Sequence, residues 1–264
     1  MGTAEQAQAP PTNDNSIRKP VIADDLVLAD LRNALGAGWK DFLAMPQYGL
    51  FFGGLYVVTG LGLCYLALIG GYTSLLIPAT AGFPLIAPFI AVGLYEASRR
   101  REIGAKLSWP KVIGALRGHG DEQIMSMGVI VFVAFGFWMI VAHAIVAIFM
   151  NGAGSGSESW AFLGTETGIA MLAVGSTIGA IMAMAFYTIT VISLPMLVDR
   201  KVDFLSAIIT SIQTVRSNFA IMLIWAIMIS TLLFIALIPA FLGLLVALPV
   251  LGHATWHLYR RACR

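Results

Sequence analysis

His253 and His257 stand four residues apart, a spacing that puts both imidazoles on one face of a helix. Such a pair can hold a metal ion or a haem iron. The other two histidines, His119 and His143, give it no third ligand. At 1.5 Å per residue His143 lies about 28 Å from the inner end of its apolar segment, and His253 only about 7 Å from the inner end of its own. The alternative is an interfacial pair beside Trp256 and Tyr259 in an aromatic belt, with His143 as a hydrogen-bonded packing residue. No metal site and no cofactor is expected. No nucleophile elbow, phosphate loop, H-E-x-x-H or paired-carboxylate pattern occurs, so no catalytic residue can be named and the chain reads as non-enzymatic.

Three further groups could act without covalent chemistry. Arg99, Arg100 and Arg101 form the densest basic cluster, suited to anionic lipid headgroups or an acidic partner. Gly175 and Gly179 make a G-x-x-x-G step that lets helix backbones approach closely. Pro84, Pro88 and Pro249 interrupt long apolar segments and free carbonyls that can line a cavity or substrate path; kinks needed for packing are the plainer account. No Asp, Glu, Lys or Arg falls in the middle of an apolar stretch, which weighs against an ion-coupled transporter.

These residues hang on a chain of 264 residues that is 58% hydrophobic and 11% charged, with mean hydropathy +0.84. That composition is a polytopic membrane protein, and a net charge of +2 without a basic aromatic module speaks against nucleic acid as a partner. A spanning helix needs about 20 apolar residues. Six segments qualify, near 48–70, 75–97, 124–150, 168–196, 218–238 and 240–258. Threaded alternately, they leave all 16 Lys and Arg on one side, so both termini are expected to be cytoplasmic, in an inner (plasma) membrane.

A short amphipathic segment precedes each pair of spans. Asp24 or Asp25 is expected to cap the first, whose Leu28, Leu31, Leu35, Trp39 and Phe42 form its apolar stripe. Ser108 and Pro110 open the second, and Asp203 caps the third. The spacing predicts an all-α fold of six transmembrane helices in three parallel hairpins, each preceded by an interfacial helix, with repeats near 24–97, 108–196 and 203–260. Residues 1–20 read as a disordered cytoplasmic tail, and 21–264 as one membrane domain. Cys64 and Cys263 are too far apart in this threading to pair.

The stretches IRKPVIADDL, PLIAPFIAVGLYEASRR and ISLPMLVDRKVDFLSAIITSIQTVRSN resemble a bacterial family of predicted integral membrane proteins of unknown function, over about residues 17 to 260. Some of its members are labelled putative cytochrome c oxidase subunit I, so the resemblance implies a redox subunit, or an accessory role beside respiratory complexes. The residues themselves point to a membrane protein that interacts with lipid or with other membrane proteins. A transporter or channel for a small or lipid-like molecule is the alternative. Oligomeric state is not legible.

Overall fold

A computed structural model describes residues 21–71, 87, 91–115, 123–151 and 160–263. In chain order its helices are α1 (Leu28–Ala44), α2 (Pro46–Ile69), α3 (Val92–Glu102), α4 (Trp109–Gly114), α5 (Gln123–Asn151), α6 (Glu166–Thr190), α7 (Ser193–Asp199), α8 (Phe204–Ser217), α9 (Phe219–Leu237) and α10 (Leu244–Ala262), with a 3-10 turn at Trp160–Gly164. The described residues form no strand; Ile22 and Cys263 make an isolated bridge that joins the two ends.

Four stretches are long and apolar enough to cross a membrane: Pro46–Leu66, Gln123–Met150, Glu166–Asp199 and Phe219–Leu237. Their outer faces carry large exposed side chains such as Val58, Phe132, Ile181 and Phe234, Phe132 being 73% exposed. Such surface is stable only against hydrocarbon. The tail 1–20, most of the expected span at 75–97, Pro84, Pro88 and His119 lie outside the described residues.

Two expectations need correction. The sixth segment was expected at 240–258, but α10 starts at Leu244, runs to Ala262 and is not among the helices apolar enough to span by composition. Its last turns carry His253, Thr255, His257 and Arg260, and protein encloses most of this stretch: His253, Trp256, Leu258 and Tyr259 are fully buried, while Arg260 is exposed. The chain enters α10 through a turn in which Ala240 and Phe241 both have positive φ, +49° and +67°, a backbone region unfavourable for side-chain-bearing residues. The span expected at 168–196 is found as Glu166–Asp199, within which α6 ends at Thr190 and α7 begins after Val191 and Ile192.

The first amphipathic helix is also differently oriented. Neither Asp24 nor Asp25 caps α1; Val27 is the N-cap residue, and its N–H donates to Asp30 Oδ2 at 2.9 Å. The buried stripe is Leu31, Ala34, Gly38, Asp41 and Phe42, while Leu28, Trp39 and Leu43 are exposed. Hydrophobicity favoured Trp39, but the neighbour to be packed against is α10, and Gly38 lets it come close. A Cβ at Gly38 would lie 2.6 Å from both Ala254 N and Val250 O. Asp203 does cap α8, accepting from Ser206 N at 2.8 Å, and Ser108 precedes α4 with a proline in its first turn.

Helix α10 is the hub. It packs on α1, α2, α3, α7 and α9, and the short helices α3 and α7 also pack on each other. Helix α6 pairs with α5 and with α8. Asn218, at the junction of α8 and α9, ties in the N-terminal segment: it accepts from Leu26 N at 3.1 Å and donates to Ala23 O at 2.7 Å.

Candidate functional site: a polar cluster and an apolar cavity

The two faces of α10 carry different chemistry. On the face toward α1 and α3, Ser98 Oγ donates to Asp41 Oδ2 at 2.6 Å and lies 2.7 Å from His253 Nδ1. A hydroxyl has one proton. With that proton on Asp41, Ser98 accepts from His253 Nδ1–H, leaving His253 Nε2 the unprotonated nitrogen. That atom is buried with no hydrogen-bond partner among the described residues. His257 Nε2 lies 2.9 Å from the same Asp41 oxygen, and Arg101 pairs with the other one. Burial pushes the Asp41 carboxyl up, but hydrogen bonds from His257 and Ser98 and the charge of His257 outweigh it and hold the group below its ordinary value.

Serine bridges carboxylate and imidazole here, whereas a hydrolytic triad needs the imidazole between the other two. Ser98 is 1% exposed and His253 fully buried, so the arrangement has the marks of a structural lock. The histidines do share one face and one network, His253 through Ser98 and His257 directly on Asp41. Among the described residues, however, no group of three or more His, Cys, Asp or Glu could hold a metal.

Toward its C-terminus α10 collects carboxylates from α3, from α7 and from α1 with the segment before it. Glu102 accepts from Trp256 Nε1 at 3.0 Å and Arg260 Nε at 3.1 Å. Asp199 accepts from Tyr259 OH at 2.8 Å and Arg260 Nη1 at 3.2 Å. Arg261 reaches Asp25 and Asp30, both at 3.1 Å. The expected docking arginines are engaged in the same way: Arg99 and Arg100 pair with Glu96, and Arg101 with Asp41. Exposed cations instead sit around them at Arg32, Lys40, Lys106, Lys111, Lys201 and Arg216.

On its other face α10 borders a cavity of about 670 Å³, walled by α3, α5, α6, α9 and α10. Its wall is almost wholly apolar, including Trp138, Met171, Ala183, Leu223, Phe234 and Leu251. Along α6 it runs from Met171 to Thr190, about 28 Å at 1.5 Å per residue. The size falls within the roughly 300–1,000 Å³ of small-molecule sites.

The glycine step splits between two roles. A Cβ at Gly179 would lie 2.8 Å from the Trp138 ring, so this glycine seats α5 on α6, whereas a Cβ at Gly175 would meet only open space in the cavity wall. Pro249 is not part of that wall; it is buried on the α2 side, 2.9 Å from where a Cβ at Gly49 would be. His143, expected to be packed and hydrogen-bonded, is exposed on α5. Cys64 and Cys263 are both free thiols.

Sequence reasoning missed Asp41, Ser98 and the cavity. A signal for Asp41 existed: with Ala34 and Gly38 it repeats at i, i+4 and i+7, one helical face. The cavity had none, because apolar wall and apolar core are the same composition.

Residues 76–199 match the model of a family described as "Predicted integral membrane protein (DUF2189)". The resemblance to a family of integral membrane proteins of unknown function therefore holds over that stretch; the oxidase label does not come with it. No curated protein and no solved structure matches the chain.

Proposed function

We propose that this chain is a non-enzymatic membrane protein that holds the apolar tail of a membrane amphiphile in the cavity between α5, α6, α9 and α10. The observation that carries the reading is the cavity itself: about 670 Å³, with an almost wholly apolar wall built largely from helices apolar enough to span a membrane. A tail need cover only half of a hydrocarbon core about 30 Å thick, and the wall along α6 is long enough for that. The rival path through proline-broken helices loses Pro249, which faces α2.

The threading that goes with this reading is six spans in three hairpins, in a bacterial inner membrane with cytoplasmic termini. It is supported by the four apolar helices, by the meeting of the chain ends through Ala23 N and Ala262 O at 2.9 Å, and by the mutual packing of α3, α7 and α10. These three stand at corresponding places in the three repeats. The exposed cations Arg32, Lys40, Lys111, Lys201 and Arg216 then face anionic headgroups, at about 1 kcal/mol each.

The test is Gly175→Trp, since the site has open space for the new ring. Purified wild-type protein should carry bound amphiphile detectable by native mass spectrometry, and the variant should lose it while keeping its helix content. Wild-type protein free of amphiphile, arriving with stoichiometric membrane subunits, would replace this reading by an accessory role in a complex.

A further inference from the structure

One buried hydroxyl in the cavity wall has no partner among the described residues. Tyr95 on α3 lines the cavity, is 3% exposed, and makes no hydrogen bond with the described residues. Neighbouring wall hydroxyls at that depth are all satisfied: Tyr187 OH donates to Met222 O at 2.9 Å, Thr190 Oγ1 to Phe186 O at 2.9 Å, and Thr255 Oγ1 to Leu251 O at 2.8 Å. A buried phenol ordinarily finds an acceptor.

Tyr95 also sits at one end of the cavity. It stands opposite Thr190 and Thr255, where α3, α7 and α10 close on one another and bury Ile192 and Leu194 completely. That end is blind, and no cation faces it: Arg99 and Arg100 turn to Glu96, and Arg101 to Asp41.

We infer that the ligand is a single-chain amphiphile with a small uncharged oxygen group at its end, a hydroxyl or a protonated carboxyl, which accepts a hydrogen bond from Tyr95 while the chain lies along α6. This rests on the tail-binding reading above and deepens it. A phospholipid fits less well. Its headgroup cannot pass the blind end, and entering methyl-first it would leave the phenol unpaired against hydrocarbon, a loss of the desolvation free energy of that group.

The experiment is equilibrium binding of radiolabelled hexadecanol, hexadecanoic acid and hexadecane to the purified full-length protein in nanodiscs, for wild type, Tyr95→Phe and Gly175→Trp. Tyr95→Phe removes one oxygen and leaves the ring. The expected result is that it weakens an oxygen-bearing ligand by about tenfold, the value of one buried hydrogen bond, and leaves hexadecane unchanged. Loss with the alcohol alone, the acid alone or both names the group that Tyr95 reads. Equal binding of all three ligands by wild type and Tyr95→Phe overturns the inference while the tail reading stands. So does a parallel loss of hexadecane binding, the mark of a purely structural tyrosine. If wild type binds none of the three, or Gly175→Trp binds them like wild type, the tail reading itself fails.

Discussion

The two sides of α10 solve opposite problems. Toward α1 and α3 the packing is close enough that Gly38 has no room for a methyl group, and a buried carboxylate, a serine and two histidines are joined in one network. Toward α6 and α9 there is open space, a glycine with nothing near it, and almost no polar contact. In a membrane, dispersion against protein and against lipid tails are of similar strength. An apolar side can therefore stay loosely filled at little cost, whereas a buried polar side must be complete or it destabilises the fold. The polar side fixes where α10 stands, and the apolar side is left free to exchange what occupies it.

The largest effect should come from breaking the polar side. Asp41→Ala removes the acceptor shared by Ser98, His257 and Arg101 and should cost about 3 kcal/mol, read as a lower unfolding midpoint in detergent. A gentler perturbation of the same group is acid. Because the Asp41 carboxyl is held below its ordinary value, its stabilisation is fully present above the unfolded-chain value of about 3.9 and disappears as pH falls through the lower folded value. The midpoints of wild type and Asp41→Asn should accordingly differ at neutral pH and converge below about pH 4.

Next is a matched pair of glycines. Gly38→Ala drives a methyl group into the α10 backbone and should destabilise by about 2 kcal/mol. Gly175→Ala places the same group in open space and should stabilise by about 0.5–1 kcal/mol, the helix-interior advantage of alanine. Thermal unfolding of the two proteins side by side measures the asymmetry directly. If Gly175→Ala destabilised as much as Gly38→Ala, the open side would be a close-packed interface after all, and the cavity with it would be lost.

Much of the scaffold was legible from residue type alone. Runs of apolar residues located α2, α5, α6 and α9, since lipid tolerates only internally bonded helix there, and Asp203 marked its own helix start. The Glu96 ion pair with Arg99 and Arg100 followed from i+3 and i+4 spacing. Two readings failed for a common reason. The first amphipathic helix is read with Trp39 on its contact stripe and Asp41 off it because hydrophobicity alone marks the stripe, yet in a membrane protein a face turned away from the other helices is also apolar. The same ambiguity left His253 beside Trp256 and Tyr259 as an interfacial group, when all three are buried because other helices enclose that part of α10.

The sequence by itself determined that the chain is helical and membrane-embedded, with its cations gathered outside the apolar segments. These follow from local physics: a residue's transfer free energy into hydrocarbon and the period of a helix do not depend on distant neighbours. Only the tertiary structure decided that Asp41 meets Ser98 and His257 across separations of 57 and 216 residues, that Ser98 carries the link on to His253, that Arg101 is engaged by Asp41, and that Gly175 opens onto a cavity while Gly179 does not. Those outcomes depend on which helix faces rotate toward each other. That choice is made by shape and by completion of hydrogen bonds between segments far apart in the chain, which no local pattern encodes.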